Sequence, residues 1–214
     1  AYGVINQVTS VFPVSPQRLG TVLRLAVETQ NYEDVDRYYR MFTELEHRSR
    51  ELVRTVAAAL TVSGLYLLQK SRVRDAVDMF SKASVSSGRN PKILREVITH
   101  LVKYKWYEEG ESFMKLFPAS AKDSADYKIL DCLLADGLLS ANFAIDRGRK
   151  LISENIHDPM VYKMLIRRYM GQGWPDSAEE LCNDARVRWP HLNNDFAFES
   201  FIAAAALDAA EKAS

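Results

Sequence analysis

The sequence predicts an all-α fold built from repeated helix pairs, and three observations support this prediction. Small residues recur with a constant 34-residue period, at Ala76, Gly110, Ala144 and Ala178. Between them, apolar residues recur three to four positions apart, which is the spacing of one helical face. Only nine glycines and seven prolines interrupt the 214 residues, which favours long helices over many short strands.

The composition limits the classes of partner. The chain carries 28 Lys and Arg against 28 Asp and Glu, so its net charge is zero. A neutral chain is not expected to bind nucleic acid or an anionic membrane through bulk electrostatics. No apolar run reaches the roughly 18 residues that a membrane span needs. Cys132 and Cys182 are too few for a disulfide framework, which slightly favours the cytoplasm and leaves the periplasm open.

The period divides residues 16–192 into five predicted units, near 16–56, 57–90, 91–124, 125–158 and 159–192. In the unit 57–90, two successive amphipathic helices are predicted from Leu60, Gly64 and Leu67, then from Ala76, Phe80 and Ala83. Gly88 should end the second helix, and Asn90-Pro91 should begin the next one. The later units repeat this spacing with Leu94, Ile98, Leu101, Gly110, Met114 and Phe117; with Cys132, Ala135, Ala144, Gly148 and Leu151; and with Tyr162, Ile166, Tyr169, Ala178, Cys182, Ala185 and Pro190.

The first unit departs from the period. Its first helix is predicted from Leu19, Leu23 and Ala26, and its second follows Asn31. The interval between Val35 and Ala76 exceeds the 34-residue period by seven residues. Seven residues make about two helical turns, so a helix can lengthen without losing its facial register. We therefore expect an elongated helix pair near residues 40–69.

This pattern resembles the tetratricopeptide repeat family, whose 34-residue units are helix pairs with small and bulky residues at fixed positions. Gly64, Ala76, Phe80, Ala83 and Ala178 match the family pattern closely. The departures are bulky residues at small positions and a glycine at a bulky one: Ile98, Ile166, Phe117, Leu151 and Gly148. The resemblance implies a right-handed α-solenoid of antiparallel helix pairs, with about five pairs plus flanking helices.

Both ends of the array carry further predicted helices. Residues 1–15 have the spacing of a second repeat helix, which fits either a half repeat or a simple cap. Residues 193–214 form a predicted capping or extension helix. Its aromatic residues spread over more than one side, which predicts contact with a second copy, a partner or further chain. The residues concerned are Phe196, Phe198, Phe201 and Ile202.

No pattern in the sequence indicates catalysis, a cofactor or a metal. The four histidines lie in different units, and no Cys or His pair has zinc-ligand spacing. Gly171-Gln172-Gly173 lacks the preceding strand and third glycine of a phosphate loop, so we interpret it as a turn. We therefore predict a protein that is not an enzyme, with no catalytic residue, no cofactor and no metal site.

The resemblance also implies a binding surface. In this family the first helix of each pair lines a concave groove. The groove candidates are Leu65, Lys92, Arg95, Thr99, Lys103, Ile129, Leu133, Lys163 and Arg167. Basic and apolar residues alternate among them, which suits an acidic, amphipathic peptide or helix of a partner protein.

The predicted function is therefore noncatalytic protein binding, as a scaffold, adaptor or assembly factor within a larger assembly. Two alternatives stay open. One is an RNA-binding helical-repeat protein, which the neutral charge disfavours. The other is a regulatory or docking region of a larger enzyme or secretion machine.

Overall fold

The computed structural model describes residues 15–196 and residue 199, and over this part of the chain the all-α prediction is confirmed. The α-helices are α1 (Pro16–Glu28), α2 (Tyr32–Thr43), α3 (Arg50–Gln69), α4 (Val73–Ser86), α5 (Pro91–Lys103), α6 (Tyr107–Met114), α7 (Ala125–Leu138), α8 (Ala141–Ser153), α9 (Pro159–Gly171) and α10 (Pro175–Arg188). Short 3₁₀ helices span Ala119–Ala121 and Pro190–Leu192, and residues 193–196 and 199 are helical. The helix predicted for residues 1–15 lies, except for Ser15, outside the described residues.

Contacts divide the chain into two compact units, the first ending at Ala119 and the second beginning at Ser120. In the first unit, α1 packs on α2 and α3, α3 packs on α4 and α5, and α5 packs on α6. In the second unit, α7 packs on α8 and α9, and α9 packs on α8 and α10. Within each unit, helices therefore pack on their neighbours along the chain, and alternate helices contact one another.

The 34-residue period reappears in the helix boundaries. Helices α4, α6, α8 and α10 begin at residues 73, 107, 141 and 175, and these starts are one period apart. The small residue of the sequence pattern is the fourth residue of each: Ala76, Gly110, Ala144 and Ala178. All four are buried, and the three alanines are 0% exposed. The period therefore places a small residue at a buried site near the start of every one of these helices.

Side-chain caps fix the starts of the alternate set of helices, α1, α3, α5, α7 and α9. The residue before each start accepts a hydrogen bond from a backbone N–H of the first turn, through Ser15, Ser49, Asn90, Ser124 and Asp158. Such caps satisfy N–H groups that have no partner inside the helix. The predicted start at Asn90-Pro91 is confirmed, with Pro91 in the first turn.

The seven residues by which the first predicted repeat unit, near 16–56, exceeds the period lie in α3. This helix has 20 residues, whereas α1, α5 and α9 have 13 each. The difference is seven residues, or about two turns, which equals the excess in the spacing of Val35 and Ala76. The predicted elongated pair is therefore found in one helix only, because α2 has 12 residues and ends at Thr43. Helix α3 is also long and apolar enough to cross a membrane by length and composition, but 56% of its apolar window is buried inside the protein. That burial is typical of a core helix.

Helix α6 is shorter than the sequence predicts. It ends at Met114, so Phe117 lies beyond its end although the pattern assigned Phe117 to the helix. Pro118 follows, and the residue before a proline is disfavoured in the α conformation. Phe117 is only 4% exposed. A bulky side chain at a small repeat position is thus packed where the helix has already ended.

At two glycines, a side chain from the neighbouring helix fills the space that a larger residue would occupy. A Cβ on Gly64 of α3 would lie 2.5 Å from Cε1 of Phe80, whose ring fills this space from α4. Gly148 of α8 is the glycine found at a bulky repeat position, two repeat periods after Phe80. A Cβ there would lie 2.8 Å from Cδ2 of Leu165 on α9. The missing bulk of α8 is therefore supplied by the next helix.

Gly64→Ala should destabilise the protein by about 1–3 kcal/mol, because the new methyl group would overlap the buried Phe80 ring. Gly20→Ala is the matched control, since a Cβ at this buried position would lie 3.7 Å from Cδ1 of Leu52, an ordinary contact. The control should be neutral or gain up to about 1 kcal/mol from the higher helix propensity of alanine. Urea unfolding of both variants measures the difference, and equal stabilities would contradict the packing described.

Candidate partner-binding faces

Most groove candidates of the first compact unit, which ends at Ala119, lie on α5. Lys92, Arg95 and Lys103 are exposed there, and Thr99 is half-buried. Leu65 is half-buried on α3, a helix that packs on α5. The structure thus brings three exposed cations onto one helix of the first unit.

The candidates of the second unit have different surroundings. Ile129 and Leu133 on α7 are 7% and 4% exposed, so they offer little surface in this structure. Lys163 and Arg167 on α9 retain 26% and 46% of their side-chain exposure. Both cations are engaged in ion pairs within the chain.

The first set of ion pairs joins α9 to α7 through Asp136. Nε of Arg168 donates to Oδ1 of Asp136 at 2.5 Å, and Nη2 of Arg168 donates to the Asp136 carbonyl oxygen at 2.7 Å. Nη2 of Arg167 donates to Oδ2 of Asp136 at 3.3 Å. The Asp136 side chain is only 7% exposed. A buried carboxylate needs such partners, because burying a charge without hydrogen bonds is costly.

The second set joins α9 to the helical residues that come after Leu192. Nζ of Lys163 lies 2.7 Å from Oδ2 of Asp195, and Nη1 of Arg167 lies 3.6 Å from Oε2 of Glu199. Between these acids, Phe196 is 0% exposed, and Nζ of Lys163 lies 5.8 Å from the centre of its ring. An acidic segment with a buried aromatic residue is therefore seated against the candidate cations of α9.

These ion pairs repeat along the chain. Asp136 and Arg168, Lys163 and Asp195, and Arg167 and Glu199 are each separated by 32 residues. The separation is two residues less than the 34-residue period. Each pair therefore joins a helix to the helix one repeat later: α7 to α9, and α9 to the helical residues after Leu192. Opposite charges at this constant separation are visible in the sequence, and this signal could have identified the pairs.

An aromatic cluster anchors the same segment. The Tyr162 and Trp189 rings pack edge-to-face with their centres 5.1 Å apart, and the centres of the Trp189 and Phe196 rings are 6.0 Å apart. The buried Tyr162 hydroxyl donates to Oδ2 of Asp184 at 2.6 Å. Burial, and then this bond to a carboxylate, raises the pKa of Tyr162. The sequence pattern placed Tyr162 in the core but did not indicate this polar contact.

The C-terminal prediction is only partly described. Phe196 packs internally. Phe198, Phe201 and Ile202 lie outside the described residues. Contact of this end with a second copy or partner stays a prediction.

The two cysteines are core residues. Cys132 is 0% exposed and Cys182 is 4% exposed. Burial raises the pKa of the Cys132 thiol to about 12, and it also raises the pKa of the Cys182 thiol. Neither is a reactive thiolate at neutral pH. Within residues 15–196 and at 199, no three His, Cys, Asp or Glu side chains come together as ligands for a metal ion.

Asp136→Ala should lower the free energy of unfolding by about 1.5–3 kcal/mol, the range for hydrogen bonds to charged groups. Asp131→Ala is the control, because Asp131 pairs with Arg147 at 2.8 Å but keeps 46% of its side-chain exposure. An exposed pair should cost less than about 1 kcal/mol. Chemical denaturation compares them, and an equal loss in both variants would show that Asp136 does not hold α7 to α9.

Comparison with known proteins adds no assignment: no protein-family model matches the chain, and no curated protein matches it significantly.

Proposed function

We propose that this protein is a noncatalytic scaffold or adaptor that binds an acidic, amphipathic helix of a partner protein. The binding face is the α5 face of the first unit, formed by Lys92, Arg95, Thr99 and Lys103 with Leu65 of α3 beside it. The partner contributes carboxylates to the cations and an apolar residue to the surface between them.

The observation that carries this proposal is the segment seated on α9. There, Asp195 and Glu199 meet Lys163 and Arg167, and Phe196, which comes between the two acids in the sequence, is buried. An acidic helix with an aromatic residue is thus a ligand that suits cations at these repeat positions. Two periods earlier, the position of Lys163 is occupied by Arg95 on α5 and that of Arg167 by Thr99. Arg95, with Lys92 and Lys103, gives α5 three exposed cations.

The charges of α5 support the same partner class. Opposite charges steer association and fix the register of a bound helix more than they add affinity. Affinity should then come from an apolar residue that the partner buries on this face, in the way that Phe196 is buried on α9. We therefore expect binding that weakens with added salt and that needs both an acidic and an aromatic residue.

The finer architecture belongs to the same proposal. We propose that the helix pairs are antiparallel, that they stack as a right-handed α-solenoid, and that the chain is similar to the tetratricopeptide repeats in this respect. The recurring caps, the buried small residues and the 34-residue spacing of the helix starts support this interpretation. A scaffold of this kind acts inside a larger assembly by holding a partner.

A labelled peptide with the sequence of residues 192–206 provides the test, because it carries the acids and aromatic residue that suit α9. Fluorescence anisotropy at low ionic strength measures its binding to the full chain. Reversing Lys92, Arg95 and Lys103 to Glu should weaken binding by about tenfold or more, since like charges would then face each other. Circular dichroism should show unchanged helicity, because exposed charges contribute little to stability.

The control variant reverses Arg74, Arg89 and Lys115 to Glu, three exposed cations of the first unit outside the proposed face. Both triple variants change the net charge equally. Only the α5 variant should lose binding. Equal weakening in both variants would mean that peptide binding depends on overall charge alone. If the peptide does not bind the unmodified chain, the proposed function is rejected.

A further inference from the structure

The first unit contains a cavity that the repeat pattern does not require. It has a volume of about 780 Å³, opens to solvent, and lies between α1, α3 and the segment before α3. Glu51, Leu52 and Thr55 line it from α3. All three belong to the first two turns of that helix, which is seven residues longer than α1 or α5. The lengthening of α3 thus provides one wall of the cavity.

Basic side chains dominate the charges of this cavity. Arg24, His47 and Arg48 line it, and among the lining residues that the structure describes Glu51 is the one acidic side chain. Within the described chain, no acidic side chain forms an ion pair with Arg24. Nη2 of Arg48 donates to the Thr43 carbonyl oxygen at 2.6 Å, and its guanidinium lies 4.8 Å from the centre of the Phe42 ring. Arg48 is therefore held in place by its neighbours while it contributes to the cavity wall.

The hydroxyl groups of Ser49 and Thr55 are already engaged at the start of α3. Oγ of Ser49 accepts from the Leu52 N–H at 3.2 Å, and Oγ1 of Thr55 donates to the Glu51 carbonyl oxygen at 3.0 Å. Recognition of an acidic ligand by this cavity should then come from the two guanidinium groups. Arginine suits carboxylates, because its planar N–H groups match the two oxygens.

One residue of the cavity wall shares its repeat position with a residue of the proposed face. The interval between Arg24 and Leu65 equals the interval between Tyr32 and Val73, which begin α2 and α4. Arg24 is thus the counterpart of Leu65 in the preceding pair. Helix α3 packs on both α1 and α5. A ligand bound along Leu65 and α5 would therefore contact α3, the helix that also forms one wall of the cavity.

We infer that this cavity is an acidic-side-chain site, which takes a Glu or Asp of the partner helix between Arg24 and Arg48. The inference rests on the proposed function, because it assigns a second contact to the same partner. A volume of about 780 Å³ is within the range of ligand pockets, so it accommodates the side chain together with part of its backbone. The lengthened α3 then has a role in binding.

Arg24→Gln in the full chain should weaken binding of the labelled 192–206 peptide about three- to tenfold, which corresponds to one hydrogen-bonded contact of ordinary strength. Arg24→Lys should keep part of the affinity. Arg18→Gln is the matched control, since Arg18 is exposed on the same helix but does not line the cavity. In a peptide with Asp195→Asn and Glu199→Gln, the Arg24→Gln variant and the unmodified chain should bind alike.

A second measurement separates this inference from the proposed function. Glutarate, a small dicarboxylate, is titrated against the full chain while the arginine Nε–H signals are followed by NMR. The signals of Arg24 and Arg48 should shift, and that of Arg18 should not. If the peptide binds but Arg24→Gln binds it as tightly as the control, the inference is wrong and the function stands. If the peptide does not bind at all, the function fails, and unshifted Arg24 signals in glutarate then overturn the cavity site too.

Discussion

Close packing at one small residue in each of four alternate helices, α4, α6, α8 and α10, is the constraint on which the rest of the structure depends. Ala76, Ala144 and Ala178 are fully buried at the fourth position of α4, α8 and α10, and Gly110 holds that position in α6. A larger side chain at such a site would force helices apart, because protein interiors have no spare volume. The 34-residue spacing of these sites sets the helix starts, and thereby which charges face each other.

The sequence predicted the features that depend on this period. Helix starts, the lengthened α3 and the buried small residues all follow from spacing that is visible in one chain. Features that depend on neighbouring helices were not predictable from spacing. Gly148 departs from the repeat pattern, and Leu165 of the next helix fills its space. Helix α6 ends early, where Phe117-Pro118 stands in place of the usual small residue. Periodicity identifies a face of a helix, but it does not reveal what the opposing helix contributes.

The same limit applies to the candidate faces. Repeat position alone grouped Lys163 and Arg167 with Lys92 and Arg95, yet the α9 pair already meets Asp195 and Glu199. Ile129 and Leu133 were assigned to the same face and are buried. Whether a repeat position serves packing or binding thus depends on the residues that the next repeat places against it. The acidic segment seated on α9 and the exposed cations of α5 are together the basis of the proposed function.

A charge-swap measurement tests most directly whether α5 binds as α9 does. A 192–206 peptide with Asp195→Lys and Glu199→Lys is titrated against three chains: unmodified, reversed at Lys92, Arg95 and Lys103, and reversed at Arg74, Arg89 and Lys115. We expect the swapped peptide to bind the α5-reversed chain about tenfold more tightly than either other chain, because complementary charges are restored only there. Equal affinity for the two reversed chains would contradict the proposed function, since overall charge would then explain the binding without any α5 face.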